Sequence, residues 1–243
     1  MTEELKKEPR VLHLGLGVPS LDMVHADFMI SLIGVANDIK SIPIEGYDMA
    51  RISLINVRSS TIAKQRQDIA EDAVKQGCTH LLWVDSDQVF PPDTARRLIL
   101  SGKKVIGCNI AVKRIPSLPT ARRYVEKWPL TGDVVYSDES KKGLEKIWKL
   151  GFGVMMTEMS IYKDLPKPYF NFGWNDVTGF VGEDWYFCDL LWRKGIELWV
   201  DHDLSREVYH AGTYLYGHRD IDHTETDIKI IRPDDPTPDQ ESV

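Results

Sequence analysis

Between residues 10 and 110, short apolar runs of strand length alternate with longer segments of helical period, and that alternation limits the chain to few folds. RVLHLGLG at 10–17 ends in glycines as a buried first strand does, and LDMVHADFMISLIGV at 21–35 follows with helical spacing. After apolar pieces at Ser41–Ile44 and Ile52–Val57, Ser59–Gln76 reads as a polar-faced helix capped by Ser59 or Ser60 and stopped by Gly77. THLLWVD is the next strand, PPDTARRLILSG a helix opened by proline and closed at Gly102, and KKVIGCNI a further strand. Strands joined through helices must run parallel, and a parallel sheet needs both faces covered. The expectation is one α/β domain with a mainly parallel sheet flanked by helices, binding its ligand beyond the carboxyl ends of the strands.

The remainder is less regular. Arg114–Gly143 is broken by prolines and reads as loops and hairpins built on TARRYV and GDVVYS. KIWKLGFGVMMTEMS gives two strand pieces interrupted by Gly151 and Gly153, with TEMSIYKDL starting a helix that Pro166 and Pro168 end. GFVGEDWYFCDLLWRKG at 179–195 is a glycine-rich loop entering an amphipathic helix, with Trp185, Leu190, Leu191 and Trp192 available to pack inward. The strand IELWVD follows. One domain over 1–224 is expected, with 225–243, proline-rich and acidic, as a mobile tail.

No apolar run approaches the roughly 20 residues of a membrane span, and the charged start MTEELKKEPR is unlike a signal peptide, so a cytoplasmic protein is expected. Cys78, Cys108 and Cys188 are odd in number and far apart, which suits buried thiols and neither disulfides nor a metal clip. A net charge of -7 disfavours general nucleic-acid binding while leaving phosphate ligands open.

Two stretches nearly repeat, LWVDSD at 82–87 and LWVDHD at 198–203, but their flanks differ, so the match reflects shared strand-end physics. In an extended segment residues two apart point the same way, so Asp85 and Asp87 can aim at one divalent cation, whose preferred ligands are carboxylate oxygens. Such triplets also arise by chance in an acidic chain, as Asp220-Ile-Asp222 illustrates. Asp85 and Asp87 close a strand expected to be central. Asp201 and Asp203 come late, where a strand is expected to resume through Arg206–Tyr209.

HLLWVDSDQVFPP resembles the D-x-D segment of GT-A glycosyltransferases, especially the small family-two-like proteins common in bacteriophage genomes. Arg58-Ser-Ser-Thr-Ile-Ala-Lys-Gln-Arg66-Gln67 is similar to the helix that carries Arg-Asn there, with Gln67 in place of Asn. Gly151-Phe-Gly153 with Pro168-Tyr-Phe170 resembles the family's glycine-rich strand and P-x-F, Gly182-Glu183-Asp184 its G-E-D helix start, and His210-Ala-Gly212 its terminal H-x-G. The resemblance covers roughly 10–215. It implies a transferase that moves a sugar from a nucleotide-diphosphate donor to an acceptor, with inversion, using Mn²⁺ or Mg²⁺. Asp87 and His210 would hold the cation, Asp85 would bind it through water or hold the ribose, and Arg66, with Lys113 and Arg114 as further candidates, would serve the diphosphate. Asp184 would be the base, and Glu183 would hold the acceptor or the loop. The acceptor stays open among a glycan, a lipid-linked sugar, a protein and a modified nucleobase.

Two other readings stand beside this one. VDSDQV also fits the opening of haloacid-dehalogenase-like phosphatases, with Asp85 as nucleophile, Thr157 as second motif and Glu183, Asp184 and Asp189 as the acidic fourth. That family places its nucleophile on the first strand, whereas here at least one βα unit precedes it. A non-catalytic carbohydrate-binding module would use aromatic residues such as Trp148, Tyr169, Phe170, Phe172 and Trp174, whose plainer role is core packing with a few surface rings.

Overall fold

The structure, a computed structural model, describes residues 8–126, 132–176, 179–212 and 215–221. The expected tail at 225–243 lies outside them. The first half runs β1 (Val11–Ser20), α1 (Ala26–Ser41), β2 (Met49–Arg58), α2 (Ile62–Lys75), β3 (His80–Val84), β4 (Gln88–Val89), α3 (Thr94–Leu100) and β5 (Val105–Gly107). The second half continues with β6 (Arg122–Arg123), β7 (Asp133–Val134), β8 (Leu144–Ile147), β9 (Val154–Glu158), β10 (Gly173–Asn175), β11 (Gly179–Val181), α4 (Glu183–Arg193), β12 (Leu198–Asp201), α5 (His202–Ser205), β13 (Tyr209–Ala211) and β14 (Leu215–Tyr216).

Seven strands form one sheet in the order β2-β1-β3-β9-β5-β12-β8. β2, β1, β3, β5 and β12 run one way, while β9 and β8 run against them. The sheet is therefore mixed and mainly parallel. Leu12, Leu14, Leu82, Val84 and Met156 pack on one face with Phe28 and Val35 of α1 and Leu98 of α3. Leu81, Trp83 and Met155 pack on the other with Ile69 and Ala73 of α2 and Phe187 and Leu191 of α4. A small antiparallel sheet, β14-β13-β4, and the hairpins β6-β7 and β10-β11 sit around this core.

The glycines of LGLG have a packing cause. A Cβ on Gly17 would lie 2.8 Å from Ile69 Cγ2, and one on Gly15 would lie 3.0 Å from Leu81 Cδ1. Without side chains there, α2 settles closely on the strands and is fixed relative to their ends. Below those ends, buried Trp83 meets Phe152 and Phe170 edge-on at 5.6 and 5.2 Å, and Phe170 stacks on Phe187 at 4.9 Å. Each such pair contributes about 0.5–1.5 kcal/mol beyond burial. Together they bind β3, the glycine-rich segment and α4 into one floor. Gln67 adds a polar tie, its Oε1 accepting the Tyr169 N–H at 2.8 Å.

Several local expectations are corrected. Of the apolar piece Ser41–Ile44, Ser41 ends α1 and the rest is irregular chain leading into a turn at 45–46. The helix expected from Ser59 starts at Ile62 with an extended Thr61 at its cap; Ser59 Oγ instead accepts the Thr61 N–H at 3.2 Å. Gly77 does stop it, at φ +70°. TEMSIYKDL yields only a 3-10 segment, Met159–Lys163, because β9 runs on through Glu158. Trp192 does not pack inward: it is 47% exposed and stacks on Tyr124 at 4.8 Å, while Phe187 and Cys188 fill the core beside Leu190 and Leu191. After LWVD the chain enters the helical turn α5, so the strand expected through Arg206–Tyr209 begins only at Tyr209. The three cysteines are free and buried. No helix among the described residues is long and apolar enough to cross a membrane.

Candidate active site

A cleft of about 480 Å³ opens at the carboxyl ends of β1 and β3, where neighbouring strands connect in opposite directions. Pro19 and Ser20 end β1 on one side, Ser59 and Ser60 lead into α2, Asp85 and Asp87 follow β3, and Gly151–Gly153 close the far wall. Arg66, Glu183, Asp184 and His210 also line it. Four elements far apart in sequence thus deliver charged groups to one cleft.

The two aspartates of LWVDSD do not point the same way. β3 ends at Val84, the Asp85 N–H is taken by Gly153 O at 3.0 Å, and the chain then turns, the Gln88 N–H reaching Asp85 O at 3.0 Å. The alternation that holds in a strand fails in that turn. Asp85 faces α2 and α4; Asp87 faces β13. Its echo is structural: Asp201 Oδ1 accepts the Leu204 N–H at 2.9 Å, and Asp203 Oδ2 accepts the Gly143 N–H at 2.8 Å.

Arg66 is 3% exposed, not a solvated helix residue. Its Nη2 donates to Asp85 Oδ1 at 2.8 Å and its Nε to Glu183 Oε1 at 3.1 Å, while the guanidinium lies 4.9 Å from the centre of the Phe152 ring. Two nitrogens are therefore spent on carboxylates, and Nη1 is buried with no partner among the described residues. Burial works to lower the guanidinium's pKa, yet the charges of Asp85 and Glu183 leave it raised. Burial pushes the Asp85 carboxyl up, and Arg66 offsets part of that.

On the other side of the turn, His210 Nε2 lies 3.4 Å from Asp87 Oδ1, and Lys113 Nζ donates to Asp87 Oδ2 at 2.5 Å. Burial would raise the Asp87 pKa, but the bonds from His210 and Lys113 outweigh it and hold it at about 2. His210 Nδ1 is 3.1 Å from Ala111 O; donation there fixes the ring with Nε2 toward Asp87. The structure thus brings Asp87 and His210 together, and separates Asp85 from them. Among the described residues no group of three or more His, Cys, Asp or Glu is placed to hold a metal ion, so the expected trio Asp85, Asp87 and His210 reduces to a pair. Arg114 is exposed and borders a smaller cavity with Arg122 and Trp185.

Gly182 caps α4, and a Cβ there would lie 2.8 Å from Asp184 Oδ1. That oxygen accepts the Trp185 N–H at 2.7 Å. Burial, then the neighbouring Glu183 charge, lifts the Asp184 carboxyl to about 6, a value suited to taking a proton near neutral pH. Glu183 is turned to Arg66, so the two adjacent carboxylates have separate surroundings, as the 100° step of a helix requires. Of the aromatic residues, Trp148, Tyr169 and Phe170 are core, and Phe172 and Trp174 are surface rings. Sequence reasoning missed Gln65, whose Nε2 donates to Ser20 O at 2.6 Å and to Ser59 O at 2.7 Å, joining the β1 and β2 ends. It also missed Gln88, next to the D-x-D. The only signal for Gln65 was its place on the apolar face of α2.

No protein-family model matches the chain, and no curated protein matches it either. Solved structures do. A197 from STIV aligns over 83% of this chain and 86% of its own, at TM-score 0.53 and 16% identity. GalNAc-T7, solved with UDP, GalNAc and Mn²⁺, aligns over 81% of this chain at TM-score 0.50 and 12% identity, and the chain spans 43% of its length. With a seven-stranded mixed sheet covered by helices on both faces and a cleft at its strand ends, the chain has the GT-A fold.

Proposed function

We propose that the chain is a metal-dependent glycosyltransferase that moves a sugar from a nucleoside-diphosphate donor to an acceptor hydroxyl with inversion. The observation that carries this reading is the approach of Asp87 and His210, 123 residues apart (210 − 87), to 3.4 Å on a cleft that Asp184 also lines. A carboxylate and an imidazole nitrogen form a donor set suited to Mn²⁺, and Mg²⁺-type sites are commonly completed by substrate phosphates and water. GalNAc-T7, which shares the fold, was solved with UDP, GalNAc and Mn²⁺. That supports a nucleotide-sugar donor here.

Asp87 and His210 would hold the cation, which supplies Lewis-acid stabilisation of the negative charge on the departing diphosphate. Lys113, already on Asp87, adds a positive charge beside that position. Asp184 takes the proton of the acceptor hydroxyl as the new bond forms, in a single displacement at the anomeric carbon. Arg66 acts through Asp85 and Glu183, fixing the turn after β3 and the start of α4. In this reading Arg66 is a positioning residue for two carboxylates, more than a ligand of the diphosphate.

The test is calorimetric titration with UDP, GDP, CDP and dTDP, with and without Mn²⁺. One diphosphate should bind in a Mn²⁺-dependent manner. Asp87→Asn and His210→Ala should each weaken that binding by at least about tenfold while leaving the fold intact, and Asp203→Asn should not. Equal losses at Asp87 and Asp203, or a beryllofluoride adduct trapped on Asp85, would overturn the reading.

A further inference from the structure

We infer that Gln88 is the residue that reads the hydroxyls of the donor sugar, an inference that rests on the glycosyltransferase reading. Gln88 is fully buried, yet it forms part of the cleft wall. Its Oε1 and Nε2 have no hydrogen-bond partner among the described residues. Leaving a buried polar group unpaired costs about 1–3 kcal/mol, so an amide with both ends unpaired needs a reason. A core position would favour leucine or methionine. An amide that both donates and accepts matches a hydroxyl-bearing ligand.

The position argues for the sugar. Gln88 is the neighbour of Asp87 in sequence and lies directly opposite His210 in the β4–β13 pair. Opposed residues of an antiparallel pair present their side chains on one face, so the amide shares a face with the His210 ring. The anomeric carbon is one oxygen away from the diphosphate, and the group beside Asp87 and His210 is therefore near the sugar. Gly153 makes the room: a Cβ there would lie 3.0 Å from Gln88 Cδ and 3.2 Å from its Nε2. The missing side chain at 153 is what lets the amide lie against the cleft.

The experiment uses the full chain with Mn²⁺ and whichever of UDP, GDP, CDP or dTDP it binds, beside the conjugates of that diphosphate with glucose, galactose and N-acetylglucosamine. Wild type should bind at least one conjugate about tenfold more tightly than the bare diphosphate, the worth of one or two hydrogen bonds. Gln88→Leu should bind the bare diphosphate within about twofold of wild type, lose the preference for the conjugate, and raise Tm by about 2–4 °C as two unpaired atoms are removed. Gly153→Ala, which displaces the amide, should lose the same preference. A preference that survives Gln88→Leu, equal weakening of diphosphate and conjugate, or no conjugate preferred by wild type would overturn the assignment. Failure of wild type to bind any of the four diphosphates would instead remove the glycosyltransferase reading, and the assignment with it.

Discussion

Replacing Arg66 by methionine tests whether the charge cluster between α2 and α4 holds the site together. The guanidinium is 3% exposed and carries the hydrogen bonds to Asp85 and Glu183 at 2.8 and 3.1 Å. Methionine fills much of the space beside Phe152 but leaves both carboxylates without their cation. Removing one partner of a buried ion pair costs about 3–5 kcal/mol, which for a chain of this size lowers Tm by about 6–20 °C. The sign with pH is fixed by the carboxylates. Asp85 is already raised by burial, and Asp184 titrates at about 6, with Arg66 restraining both. Without Arg66 they rise further. A folded-state pKa above the unfolded one gives stability that is present at low pH and lost as pH climbs through it. The variant should therefore lie closest to wild type at pH 5 and furthest from it at pH 8. Urea unfolding of both proteins at the two pH values measures this, and Glu183→Gln added to the variant should recover part of the loss at pH 8. A loss below about 1 kcal/mol at pH 8, or one that is equal at both pH values, would refute the account.

Asp184→Asn should leave Mn²⁺-dependent diphosphate binding intact and lower single-turnover transfer by about 10²–10⁴-fold; near-normal turnover, or retained anomeric configuration in the product read by NMR, would count against the base assignment. In the wild type, kcat/KM should rise with pH through about 6 as Asp184 ionises. Because that pKa is raised from 3.8, ionisation costs stability, so Asp184→Asn should match wild type below about 4, the unfolded carboxylate range, gain on it as pH rises from about 4 to about 6, and hold that gain at higher pH in denaturation curves. Gly17→Ala should destabilise by about 1–3 kcal/mol, since its Cβ would meet Ile69 Cγ2 at 2.8 Å; an unchanged Tm would mean that α2 is less closely seated than the packing implies. Asp203→Asn keeps an acceptor oxygen for the Gly143 N–H and gives up only the charge facing Arg206, so it should cost at most about 1 kcal/mol and leave ligand binding untouched.

The layers of the fold were legible because burial on both faces writes itself into sequence as apolar runs, and the helices between them have their own period. LHLGLGV and HLLWV are therefore recognisable as strands from their residues alone. The D-x-D was legible as a position and not as a geometry. Where a strand stops depends on its partners: the β3 ladder with β9 closes at Val84 opposite Val154, and the turn that follows separates Asp85 from Asp87. The same limit explains the echo at 198–203, whose apolar half is a strand for the same reason and whose acidic half is a helix cap for reasons lying in the residues beyond it. Arg66 was legible as a cation and illegible as a buried one, since its partners stand 19 and 117 residues away and no local pattern records them. Gln88 is harder still. Its amide stands out because nothing among the described residues pairs with it, and sequence carries no mark for a contact left open. Long-range pairing thus decides where each polar residue of a readable strand end turns, and at this site it sends Asp85 to Arg66 and leaves Asp87, His210 and Gln88 on the β4–β13 side.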